Sequence, residues 1–251
     1  MDPAELRSAL VDLNSLMVGD LAALWRAMDG QDVEFLREAL QAELPGVVDP
    51  YLAASGDITA TWYESQAPEL AYVATPAALV DEGQLQSTAR WAAGTVLTKS
   101  PVSPLDLLAG AMQRALFNES RETVLENADT EPGARWARHA SANACEFCRM
   151  VATRSETSGS LYTSKEGAVR VVGRGSNGSR GKGRRPRGTQ ALGDKYHDYC
   201  HCIAVPVRPG QSYDPPSYVE AWEAEYTRAR KAADGNDAKS ILSAWRKLQP
   251  E

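Results

Sequence analysis

The chain has 251 residues, of which 43% are hydrophobic and 24% charged. That composition suits a globular protein of one large domain or two modest ones, and no apolar run is long enough to cross a bilayer. A formal net charge of −6 argues against a general nucleic-acid binder, and the acidic start MDPAELRSALVDL is read as carrying no export signal.

The first half is predicted to be helical. Leu6, Leu10, Leu13, Met17, Leu21, Leu24 and Met28 recur at steps of three or four, which places them on one helix face. Gly30 is the expected stop. A second helix is predicted from about Asp32 to Leu44, with Val33, Leu36 and Leu40 inward, broken by Pro45 and Gly46. A third is expected over Val47 to Gln66, with Val48, Tyr51, Leu52, Ile58 and Trp62 as core candidates. A fourth spans about Glu82 to Leu97. The fifth has the clearest start: Ser103 as cap, Pro104 at the first helical position, and Asp106 where a capping box wants an acid. Its inward face is expected to carry Leu105, Leu108, Met112, Leu116 and Val124.

Composition changes at Glu131, Pro132 and Gly133. ARWARHAS beyond this point, then LYTS, VRVV and IAVPV, are strand candidates by their aromatic and β-branched content. Pro206 places the last of them at a sheet edge. Between them, Arg170 to Arg187 holds seven bases and no acid, rich in glycine, which leaves the rest of the chain still more acidic. Such a segment has too little apolar surface to order itself and is expected to be mobile. Asp214, Pro215 and Pro216 mark a further boundary. Ser217 and Glu220 then suit a capping box for a helix to about Ala233, ended by Gly235. A last helix runs from about Asp237 to Leu248. Its Ile241, Leu242, Trp245 and Leu248, with Tyr218 and Trp222, must dock on the body or on a partner.

The expected class is therefore α+β: a helical domain over residues 1–130, a small module with short strands over 131–209 containing the basic insert at about 170–190, and a helical tail over 210–251.

The densest chemistry lies in two knots. ACEFCRM holds Cys145 and Cys148, and YHDYCHC holds His197, Cys200, His201 and Cys202, which accounts for all four cysteines. In a reducing cytoplasm such cysteines are more often metal ligands or redox groups than structural disulfides. C-x2-C and H-x2-C-x-C are spacings at which a turn aims paired donors at one ion, and thiolate with imidazole selects zinc over magnesium or calcium. The expected set is one structural zinc drawing on Cys145, Cys148, His197, Cys200 and Cys202. Cys145 and Cys148 are the firm pair, and either Cys200 with Cys202 or His197 with one of these cysteines completes the four; His201 is the least expected donor, because its side chain should point away from those of its neighbours in an extended segment. Disulfides formed after release, or thiols merely buried, are the competing readings. A zinc hydrolase using Asp194 or Asp198 and a cysteine nucleophile served by His139 or His197 draw on the same residues without a supporting motif. The insert offers Arg170, Arg174, Arg180, Lys182, Arg184, Arg185 and Arg187 as phosphate contacts, sequence-blind and without aromatic stacking.

These knots and their surroundings resemble the C-terminal module of MuF-like minor capsid proteins, the phage Mu head-morphogenesis family. The versions in tailed phages of actinobacteria are the most similar. The matching positions are Trp136, Cys145, Cys148, Met150, Tyr162, His197, Cys200, Cys202 and Ile203 to Val207, over roughly Ala134 to Val207. The glycine- and arginine-rich insert departs from that pattern. The resemblance implies a minor capsid protein inside the virion near the portal vertex, present in the host cytoplasm during assembly. It would act in head assembly or in genome packaging and delivery. Its implied partners are the portal and the scaffold or major capsid protein, with packaged DNA on the insert and no membrane. Relatives labelled capsid maturation proteases make processing of scaffold or coat the alternative function. A nucleic-acid-binding protein using the insert is the weaker one.

Overall fold

The structure, a computed structural model, describes residues 1–28, 30–98, 101–153, 199–235 and 238–248. The predicted strands LYTS and VRVV and the basic insert lie outside the described residues, as do His197 and Tyr162. In chain order the elements are α1 (Pro3–Ala27), α2 (Val33–Ser65), α3 (Glu82–Gly94), α4 (Pro104–Thr130), β1 (Arg135–His139), α5 (Glu146–Ala152), β2 (Ile203–Val207), α6 (Tyr218–Ala232) and α7 (Ala238–Leu248). The class is α+β as expected, mainly helical with one small antiparallel sheet. No helix among the described residues is long and apolar enough to cross a membrane.

The chain divides into two compact units, and the division falls within α4, between Thr123 and Val124. Among the described residues the first unit is Met1–Thr123 with Tyr199 and Cys200, and the second is the remainder.

In the first unit α1 starts on a full capping box. The Asp2 carboxylate accepts from the backbone N–H groups of Ala4 and Glu5, while the Glu5 carboxylate accepts from the Asp2 N–H. Leu6, Leu10, Met17 and Leu21 are buried, whereas Leu13 and Leu24 are half-buried at the edge of the stripe. Each fully buried leucine contributes about 1.5–3 kcal/mol.

The second and third predicted helices are one. α2 runs for 33 residues with Pro45 and Pro50 inside it. A proline in a helix interior removes one hydrogen bond and crowds the preceding turn. Here the apolar stripe outweighs that cost. Leu36, Leu40, Leu44, Val48 and Leu52 are all buried at an unbroken spacing of four, while Pro45 is half-buried and Pro50 exposed. Val33, Tyr51 and Ile58, expected inward, are only half-buried.

Polar groups fasten α2 to α4. Ser55 donates to the Leu116 carbonyl at 2.9 Å and Thr59 to the Ser120 hydroxyl at 2.8 Å, all buried. Gly56 sits where a Cβ would meet the Pro76 Cβ at 3.0 Å. The cap predicted for α4 is present, with the Asp106 N–H donating to Ser103 Oγ at 3.0 Å. Leu108, Met112, Leu116 and Val124 are buried, and Leu105 is half-buried.

In the second unit β1 and β2 pair antiparallel, in a register that sets Trp136 opposite Pro206 and His139 opposite Ile203. Among the described residues the sheet has only these two strands, so Pro206 lies on an edge, where its missing N–H is tolerated. A two-stranded ribbon is marginal alone, and helices cover it. The tail packs within this unit. Trp222 and Trp245 are buried, the Tyr218 hydroxyl donates to the Ala140 carbonyl at 2.8 Å, and Trp245 Nε1 donates to Glu225 at 3.1 Å. Leu248, predicted inward, is exposed. The predicted Ser217 capping box does not form. Ser217 has helical backbone angles, φ −55° and ψ −28°, and makes no capping bond. An N-cap needs an extended backbone to bring its oxygen over the free N–H groups.

A buried ion pair closes the base of this unit. Arg208 donates from Nε to Glu131 Oε2 at 2.6 Å and from Nη2 to Oε1 at 2.7 Å. It joins the residue after α4 to the residue after β2.

Candidate metal centre

The first cysteine knot is a helix start as well as a turn. Cys145 has extended angles, φ −66° and ψ 161°, and α5 begins at the next residue. Cys148 thus falls on the first helical turn, three residues on, where side chains share a face. α5 is short, and burial anchors it: Met150, Val151 and Ala152 are buried. Arg149 Nε donates to the Ala144 carbonyl at 2.7 Å, and its guanidinium lies 5.5 Å from the centroid of the Trp222 ring. This fixes Cys148, which is itself buried.

The second knot is extended where it enters β2. Cys200 and Cys202 are two residues apart and so lie on the same side of the chain. Both are buried, and His201 between them is half-exposed. Tyr199 precedes them with a φ of 62°, the left-handed region. Its hydroxyl donates to the Asp106 carbonyl at 2.7 Å. Arg121, almost wholly buried, donates from Nη2 to the Cys200 carbonyl at 2.8 Å and from Nη1 to Asn118 Oδ1 at 2.7 Å.

The Sγ atoms of Cys148, Cys200 and Cys202 lie within 4.8 Å of one another. The four cysteines are thiols, not disulfides. Tetrahedral zinc with Zn–S of about 2.3 Å requires sulfurs about 3.8 Å apart, so small side-chain adjustments close this trio on an ion. Three buried thiols form a soft donor set that suits zinc and other thiophilic ions and repels the hard, oxygen-seeking ones.

Of the residues named from sequence, Cys148, Cys200 and Cys202 are thus brought together. Cys145, three residues before Cys148, is half-buried and is not one of the three. His197 and the seven basic residues Arg170 to Arg187 lie outside the described residues. His139, weighed as a base, is buried in β1 with Nδ1 3.1 Å from the Tyr213 hydroxyl and the rings edge to face.

Sequence reasoning missed Arg121. The available signal was its register: four residues after Phe117 and three before Val124, it is a charged residue on the inward face of α4. A buried charge is paired for a reason.

A family model described as VG15 protein matches residues 1–229. No curated protein and no solved structure matches the chain.

Proposed function

The chain belongs to the VG15 protein family, a phage-associated family, and from that premise we propose that it is a minor capsid protein acting in head assembly or in genome packaging and delivery. The observation that carries this reading is the thiol trio. Three buried cysteines on one side of an ion leave at most one position for a further protein donor, and sets so rich in thiolate are closed and structural. Cys145 and His197 are the candidate fourth donors. The ion, with zinc as the first choice, would supply folding energy by joining the start of α5 to the entry of β2. The protein's own residues present the thiols and exclude water from them.

The remaining surface fits an interaction protein. At the end of α3 the first unit exposes Trp91 and Leu97, apolar groups suited to a portal or a neighbouring head protein. The seven bases between Arg170 and Arg187 are chemically suited to packaged DNA.

The experiment is to locate the protein in purified virions by mass spectrometry and a labelled fusion. The same strain then serves to map the termini of scaffold and coat proteins. Internal copies beside the portal with unprocessed partners support the reading. Absence from the virion, together with specific cleavages that vanish on one Ser, Cys or His substitution, replaces it with the capsid maturation protease.

A further inference from the structure

Tyr199 pays a conformational penalty that its own burial does not explain. It is the one non-glycine residue at positive φ among the described residues, and its side chain is 56% exposed. An aromatic residue is unfavourable in the left-handed region, and such strain persists only where the surroundings enforce it. The surroundings here are α4. The Tyr199 ring fills a notch above Gly110, where an added Cβ would stand 2.8 Å from Cζ and 2.9 Å from Cε2. Its hydroxyl reaches the Asp106 carbonyl one turn earlier. One residue further on, Arg121 takes the Cys200 carbonyl with one arm of its fork and Asn118 with the other, its Cζ lying 5.4 Å from the centroid of Phe117.

Resting on the metal-centre reading, we propose that Tyr199 and Arg121 are positioning residues of that centre. α4 holds the second knot in its ligating conformation before any ion arrives. The notch at Gly110 seats the ring, the ring forces the left-handed turn, and the turn sends the chain on so that Cys200 and Cys202 face the same way. Arg121 locks the far side of that turn through a main-chain oxygen, which fixes Cys200 without touching its sulfur. Arginine suits the post because its planar fork serves two acceptors at once, which an ammonium group does with less geometric control.

The test uses the full chain with cobalt(II) as probe. Thiolate-to-cobalt charge transfer reports sulfur ligation, the d–d bands report geometry, and competition with a chelator gives affinity. Tyr199→Ala is expected to weaken cobalt binding ten- to a hundred-fold and to change the d–d bands. The metal-free variant should still unfold cooperatively, because more than half of the side chain is exposed. Gly110→Ala is expected to cause the same loss in the wild-type background and no further loss once Tyr199 is alanine. Arg121→Lys should retain more affinity than Arg121→Met. Wild-type affinity in both Tyr199→Ala and Gly110→Ala, with a normal wild-type cobalt spectrum, overturns the positioning role alone. So does an equal loss from Gly110→Ala in the two backgrounds. A wild-type protein with no thiolate–cobalt band removes the metal centre itself.

Discussion

Replacing Glu131 by glutamine removes the negative charge that faces the buried Arg208 guanidinium in the second unit. Arg208 has no exposed side-chain surface and Glu131 is 5% exposed. Glutamine keeps the volume and one acceptor but removes the charge. Opposite charges about 4 Å apart interact by about 4 kcal/mol at an effective dielectric of 20. Removing one partner of a buried pair costs about 3–5 kcal/mol, because the survivor cannot recover its hydration. For a unit of this size each kcal/mol moves the melting temperature by roughly 3–4 °C. Glu131→Gln is therefore expected to melt about 10–20 °C below wild type by circular dichroism or calorimetry. The double variant Glu131→Leu with Arg208→Met removes both charges and should recover most of that loss. A single variant melting within about 2 °C of wild type refutes the argument. So does a double variant as unstable as the single, since the penalty then does not come from a stranded charge.

Three further outcomes are expected. Gly56→Val should destabilise the first unit by about 1–3 kcal/mol, read from urea unfolding, because its side chain meets Pro76 and the Glu119 carboxylate. Asp49 has its pKa raised, first by burial and then by the Glu82 charge, so its ionised form is disfavoured in the folded state. That penalty is present above the raised pKa and fades as pH falls through it; Asp49→Asn should thus raise the melting temperature at pH 7 and lose this advantage in acid. Stripping metal with a chelator under reducing conditions should lower the melting temperature, with recovery on adding zinc. An unchanged melt and no zinc by elemental analysis count against the metal centre.

Apolar spacing made most helices legible, because burial of one face is what such spacing encodes. Leu6, Leu10, Met17 and Leu21 are an example. Pro45 misled for the converse reason: a local rule predicted a break where the stripe from Leu36 to Leu52 continues to pack. α5 was not foreseen as a helix, since seven residues containing a cysteine show no full period. The grouping of Cys148, Cys200 and Cys202 was legible from their spacing. The contact between Tyr199 and Gly110 was not. Tyr199 and Gly110 are 89 positions apart in sequence, and their size complementarity exists only once the chain is folded. The Arg208–Glu131 pair escaped notice likewise, one arginine and one glutamate among many.

α2 extends roughly 50 Å at 1.5 Å per residue, and two of its internal links are missing by covalent necessity. Pro45 and Pro50 have no N–H to offer the carbonyls of Gln41 and Gly46. Burial of the stripe from Leu36 to Leu52 carries the helix through both positions. Any bending of the helix would therefore begin at these two joints. Alanine at 45 and 50 would turn a jointed strut into a stiff one.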